Sequence, residues 1–359
     1  MNKKDINWIN ALKALCIIFV FLRHSGNYYG VGLGWFDGIY LPFYVNAFFF
    51  VSGYLLFWKQ LSAPKIDETR DIYVIGGGKT LAFNVLFRIV IPSIIFSIIE
   101  FFPKKLIKGD EVIASDCFFE TLGGCTYWFT SALVVAELLF LLLLFTRRRS
   151  IWFYAIPAFL LSALGAWLSK SGFYFIEGHG SFPWQYKHGL ICMAYLAMGG
   201  IYKWKVESLE WSVSTKVKNI GLLLLTAIYI AGSVLFKDTL YNGYMTSMGY
   251  ITPVGALWSL LASILLIELC KRLPKIGALT FIGQNSLGFY FLSGALPITF
   301  GMIANKLLIS GSTLMMLAIW ITCVLVAYVA VLIINRWLPW LWDLRLLRGE
   351  SPVMTNSQK

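Results

Sequence analysis

Seven ionisable side chains stand inside long apolar stretches of this 359-residue chain: Lys13, Arg23, His24, Arg88, Glu100, Glu137 and Glu268. Charge among apolar side chains is costly to hold, so each is a functional candidate by default. Lys13 and His24 lie about three helical turns apart, which puts them on nearly one face with roughly 16 Å between them along the axis. Arg23 points about 100° away from His24 and has the length to reach outward to water. Imidazole is the side chain suited to proton transfer near neutral pH, so His24 is a candidate general base. The competing reading is a packed histidine hydrogen-bonded to a backbone carbonyl. Glu137 and Glu100 are the carboxylates able to orient such an imidazole, as the acid of a catalytic triad does. Each is equally consistent with a hydrogen bond between helices, and Glu268 reads as interfacial.

The run Gly76-Gly77-Gly78-Lys79-Thr80 invites a phosphate-loop reading. That motif needs a glycine where this chain has Tyr73, and an apolar span follows instead of a nucleotide-binding sheet. It is set aside as such a loop, though Lys79 remains a candidate contact for a phosphate.

The elements that must position these residues are legible in composition. Hydrophobic residues make up 58% of the chain and charged residues 13%, too few to cover a water-facing surface. The apolar residues come in blocks of membrane-spanning length. The sequence predicts an all-α integral membrane protein of about ten transmembrane helices, with both termini cytoplasmic. The expected spans are 9–29, 39–58, 81–102, 127–146, 151–168, 189–203, 219–236, 250–270, 282–304 and 314–334. One membrane domain over 1–340 is followed by a short polar tail, 341–359. The segments assigned to the inside carry about 20 Lys and Arg residues against about seven on the other side, a bias alternating loop by loop. The net charge of +12 is spread between apolar blocks, which favours orientation and anionic lipid over nucleic acid. Pro157 and Pro297 interrupt the fifth and ninth spans, and Trp337, Trp340 and Trp342 fit an interfacial belt. Lys3 and Lys4 resemble the start of a signal peptide, but the block after them carries Lys13, Arg23 and His24 and lacks a cleavage site, so it is expected to be a mature span. Cys117 and Cys125 share one loop on the expected outer side, where pairing is an open alternative.

Several stretches together resemble the membrane-bound acyltransferase-3 family. Asn10-Ala-Leu-Lys13 through Arg23-His24 is similar to its first-helix signature, a basic residue followed by histidine. Phe43 to Ser52-Gly53-Tyr54 resembles its phenylalanine-rich second span, and Arg88-Ile-Val-Ile-Pro92 its entry to the third. Tyr127-Trp128-Phe129 through Leu133, and Gly283 through Ser286 to Tyr290-Phe-Leu, resemble later motifs in the family's order, over about residues 8 to 294. The chain departs at Asn10, where an aspartate is common, and at Lys13, where arginine is more frequent. Tyr44 and Asn46 stand where the sugar O-acetylase branch often has histidine and proline, and Ser293 where the late motif usually has histidine.

The resemblance implies transfer of an acyl group, usually acetyl, from cytoplasmic acyl-CoA to a hydroxyl of an envelope polysaccharide or lipid-linked sugar, in a bacterial cytoplasmic (inner) membrane. The residues themselves supply a geometry for it: Lys13, Arg88 and Lys79 are expected toward the cytoplasmic side, where an anionic CoA would be held, and His24 deeper, as the expected base, with Glu137 or Glu100 as its candidate partner. Ser52, Tyr54, Trp128, Ser286 and Tyr290 are the candidate walls for the acceptor, against a packing reading of the aromatic ones. Acetyl-CoA enters as co-substrate; no permanently bound cofactor and no metal are expected, and the partners are acyl-CoA, the glycan and membrane lipids. A transporter or flippase for a glycan would use the same intramembrane charges and is the alternative from another class.

Overall fold

The computed structural model describes residues 3–61, 65–67, 72–73, 78–144, 151–177, 179–180, 182–207, 214–236, 252–307, 312–342 and 346. Most of the 341–359 tail and Gly76-Gly77 lie outside them, and α4 (Gly78–Val85) includes Lys79, whose side chain is outside the described set. The architecture is all-helical apart from a two-strand hairpin, β1 (Lys65–Asp67) and β2 (Ile72–Tyr73). Among the described residues, seven helical segments are long and apolar enough to cross a membrane: Asn7–Tyr29, Ala82–Leu106, Ile151–Lys170, Thr215–Leu235, Pro253–Cys270, Ser286–Lys306 and Thr313–Trp337. Asn46–Trp58 and Trp128–Leu143 are shorter apolar helices.

The elements are α1 (Lys3–Tyr29), α2 (Trp35–Tyr40) and α3 (Asn46–Leu61), then α4, a π-helical turn at Leu86–Val90 and α5 (Ile91–Lys108). They continue with α6 (Ala114–Thr121), α7 (Trp128–Leu144), α8 (Ile151–Lys170) and α9 (Tyr186–Ile201), which runs into a second π turn at Tyr202–Val206. The remainder are α10 (Thr215–Leu235), α11 (Pro253–Cys270), α12 (Gly277–Gln284), α13 (Ser286–Lys306) and α14 (Thr313–Trp337). Local chemistry sets several ends. Ser214 and Thr252 accept from the backbone N–H groups of Val217 and Gly255, at 3.4 and 3.1 Å, and Pro253 opens α11 where its missing N–H costs nothing. Gly109, at φ 74°, ends α5 in a left-handed cap.

Several expected spans differ in outline, among them the second, third and ninth. The second is broken by a turn at 41–45 between α2 and α3. The third starts earlier and carries the π turn. The ninth splits at Asn285, which leaves helical geometry and bonds the Phe281 carbonyl through its side chain at 2.8 Å. Trp342 turns inward from the expected belt: its ring stacks on Phe96, 5.0 Å between centroids, and its Nε1 donates to Asn335 at 2.8 Å. Cys117 and Cys125 are both free.

Two packing centres hold the site. α1 is surrounded by α11, α12, α13, α14 and α3, and α9 lies against α3, α7 and α8. Close approach depends on missing side chains. A Cβ on Gly53 of α3 would collide with the Leu196 carbonyl of α9, and one on Gly199 of α9 with the Phe50 carbonyl of α3. One on Gly283 of α12 would collide with the Asn10 carbonyl of α1. Without a hydrophobic force between helices in lipid, such backbone-to-backbone contact carries much of the association.

At the N-terminal end of α1, an ion cluster ties these helices together. Glu207 receives Lys203 at 2.8 Å, Lys271 at 2.7 Å and the Tyr54 hydroxyl at 2.9 Å. Arg272 reaches Glu268 at 2.9 Å, and the Tyr202 hydroxyl also donates to Glu268. Lys203 lies over Trp58 and Lys271 over Trp8, 4.5 and 5.4 Å from the ring centroids. Burial pushes the Glu207 carboxyl up, but hydrogen bonds from Lys203 and Lys271 outweigh it and hold the carboxyl below its ordinary value. A lowered folded-state pKa contributes stability above the ordinary carboxyl range and loses it as pH falls through the folded value. Glu207→Gln is therefore expected to melt earlier than wild type at pH 7, with the gap closing as pH drops below about 4. Thermal unfolding in detergent across pH measures this; a gap that does not change with pH would contradict it.

Candidate active site

The spacing on α1 carries Lys13 and His24 to two different compartments. Lys13 opens into a cavity of about 460 Å³ whose walls include Ser52 of α3, Asn84 of α4, Arg88, Glu137 of α7, Ser286 and Tyr290 of α13, and Trp342. His24 stands in a chamber of about 20 Å³ with Val20, Tyr44, Val45, Phe48, Trp128, Phe129 and Tyr290. Phe48, Phe129 and Tyr290 line both. Their rings touch: Phe48 to Phe129 and Phe129 to Tyr290 are each 5.2 Å between centroids. The Tyr290 hydroxyl accepts from the Phe129 N–H at 3.2 Å, which fixes α13 against α7 at this partition. A layer of three aromatic rings thus separates a roomy cationic cavity from a small histidine-bearing one.

Arg88 owes its placement to the π turn. An extra residue per turn rotates a side chain off the ordinary helical register, a device frequent at functional sites. Pro92 follows and cannot donate to the Arg88 carbonyl, which favours a break in the helical ladder at this point. Asn84, one turn earlier, joins Arg88 in the same wall. Glu137 is 8% exposed and is the carboxylate in a cavity that also holds two cations.

His24 Nδ1 lies 2.6 Å from the backbone carbonyl of Ser293. A carbonyl only accepts, so Nδ1 carries the hydrogen and Nε2 of the neutral ring keeps its lone pair. The side chain is half-buried. That tautomer is the one that can accept a proton at Nε2. The imidazole is also hydrogen-bonded to a backbone carbonyl, so both sequence readings of His24 describe part of the geometry.

The other candidates divide. Lys13, Arg88, Glu137, Ser52, Ser286 and Tyr290 share the larger cavity, and His24, Trp128 and Tyr290 share the smaller. Glu100 lies apart: it accepts from the Tyr127 hydroxyl at 2.5 Å and lines a separate cavity of about 180 Å³ with Lys104 and Thr299. Tyr54 belongs to the ion cluster. Tyr44, Phe48, Asn84, Phe129, Gln284 and Asn285 line the two compartments and were not among the sequence candidates. Tyr44 carried a signal, as a departure from the family pattern, whereas Phe48 sits in a phenylalanine run that fits plain packing. His188 was also missed; 7% exposed, it lies behind Trp128 at 5.6 Å between ring centroids and bonds Gln185 at 3.1 Å.

The model of one family, described as an acyltransferase domain, matches residues 6–336. No curated protein and no solved structure matches the chain. The match spans α1 to α14 almost entirely and takes in the lining of both compartments apart from Trp342. The chain belongs to the acyltransferase-3 family, as a multi-pass membrane acyltransferase.

Proposed function

We propose that this protein moves an acyl group, most simply acetyl, from acyl-CoA on the cytoplasmic side to a hydroxyl of an envelope polysaccharide or lipid-linked sugar, with the bacterial inner membrane as its site. The observation that carries this reading is the pair of compartments meeting at Phe48, Phe129 and Tyr290. One is large enough and cationic enough for part of an anionic CoA, and the other offers a tautomerically fixed imidazole and room for little more than a small group.

In this scheme Lys13 and Arg88 hold phosphate oxygens of CoA, with Lys79 as a further candidate, and the pantetheine arm brings the thioester to the ring partition. The acceptor hydroxyl enters beside Trp128 and gives its proton to His24 Nε2 as its oxygen attacks the thioester carbonyl. The C–S bond then breaks, the ester forms, and the leaving sulfur takes the proton back from the imidazolium, releasing CoA as the thiol. Atoms and charges balance without another reactant. Ser52 and Ser286 supply hydroxyls along the larger cavity, and Glu137 offsets its two cations.

Arg88→Ala is expected to raise KM for acyl-CoA roughly tenfold, with a smaller change in kcat. Steady-state kinetics at varied acyl-CoA check this, and an unchanged KM would remove Arg88 from the donor site. The reading as a whole is tested by glycan mass spectrometry on cells with and without the gene. An added acyl mass is expected with it; a glycan chemically unchanged but retained inside without it would favour transport.

A further inference from the structure

The carbonyl that holds His24 is not an ordinary one. In α13 the N–H of residue 297 would bond the carbonyl of Ser293, four residues earlier. Residue 297 is proline, inside the helix. It has no N–H, and its ring pushes against the carbonyl four residues back. The Ser293 carbonyl therefore lacks its helical donor, and it is the one that meets His24 Nδ1 at 2.6 Å. The Ser293 hydroxyl does not compete, because it donates to the Tyr290 carbonyl at 2.7 Å.

We infer that Pro297 is a positioning residue: by withholding an N–H from the Ser293 carbonyl, it reserves that oxygen for His24 and so fixes the tautomer with Nε2 unprotonated. Pro297 lines neither compartment and touches no reacting group, so it acts through Ser293 and His24. The inference rests on His24 being the base for its effect on turnover, but its effect on the tautomer needs no substrate. It gives a task to a proline otherwise read only as tolerated in a membrane helix, and a use for the backbone of Ser293, whose hydroxyl is engaged with the Tyr290 carbonyl.

The test restores the donor and then removes it again. Pro297→Ala returns the N–H, and the α-hydroxy acid analogue of alanine, incorporated at 297 by nonsense suppression, restores the helix without it. Nitrogen NMR of histidine-labelled protein in nanodiscs reads the tautomer among three histidines, with His24 assigned by loss of its signal in His24→Gln. Wild type is expected to show Nδ1–H. Pro297→Ala should shift the population toward Nε2–H and lower kcat roughly tenfold or more, leaving KM for acetyl-CoA unchanged. The hydroxy-acid variant should return both the tautomer and kcat toward wild type. Pro297→Gly serves as a second N–H-restoring variant if the alanine form does not accumulate. An unchanged tautomer in the N–H-restoring variants, or a hydroxy-acid variant that behaves like alanine, would overturn the inference. A shifted tautomer together with a wild type that consumes no acyl-CoA would leave the positioning intact and sink the acyl-transfer reading instead.

Discussion

Replacing His24 with alanine is expected to lower acyl transfer by about 10²–10⁴-fold, leaving membrane insertion and KM for acyl-CoA close to wild type. The size is that expected for loss of the proposed general base, whose ring is held by the Ser293 carbonyl in the tautomer with Nε2 free to accept a proton. No second imidazole stands ready to replace it: His188 lies behind Trp128 and outside the His24 chamber, and His179 packs against Phe119. The larger cavity, proposed to hold the acyl donor, should be little disturbed, since His24 does not line it. Acceptor-dependent CoA release by purified protein gives the rate, and binding of a non-transferable acyl-CoA analogue shows whether the donor site survives. An alanine variant that inserts, folds and transfers at the wild-type rate would remove His24 from the chemistry.

Gly53→Val is expected to be among the most damaging single changes to the fold. The added side chain would meet the Leu196 carbonyl, part of a helix backbone that cannot rotate away as a side chain would. Overpacking in a well-filled core costs about 1–3 kcal/mol and sometimes more; with backbone as the obstacle, the upper end applies. The α3–α9 crossing is reciprocal through Gly199, and α3 also supplies Phe48 to the partition and Ser52 to the larger cavity. Loss of accumulation in the membrane and of a cooperative melt in detergent should therefore come together. Phe83→Val, at an exposed position on α4, is the control and should behave as wild type. Normal accumulation and melting of Gly53→Val would show that the two helices do not need their close contact.

These two predictions also mark what was readable without a structure. The histidine and lysine on the first span were legible because helical period and the cost of buried charge both single them out. The all-helical membrane fold was legible because block length and charge bias are global properties that survive local error. Gly53 and Gly283 were visible as motif letters, but their role was not, since a close crossing is set by the partner backbone at Leu196 and Asn10. The partition of Phe48, Phe129 and Tyr290 was hidden for a similar reason: aromatic residues in an apolar span look alike until three helices bring certain rings together. Glu100 and Glu137 looked equivalent as partners for His24, yet they line two different cavities and the oriented contact comes from a backbone carbonyl. No side-chain letter encodes that contact; only Pro297, four residues along, leaves a trace of it.

Sidedness offers the most direct test of transfer between the two compartments. Protein of uniform orientation is reconstituted into sealed vesicles, acetyl-CoA labelled in its acyl group is supplied only at the face nearer Lys13, and extracted envelope glycan only at the other. Wild type is expected to release CoA on the first side and place label on the glycan, as a base-labile ester, on the second, in equal amounts. His24→Ala should do neither. Intact acetyl-CoA and unlabelled glycan with wild type, or glycan that crosses the membrane without gaining mass, would contradict acyl transfer through His24.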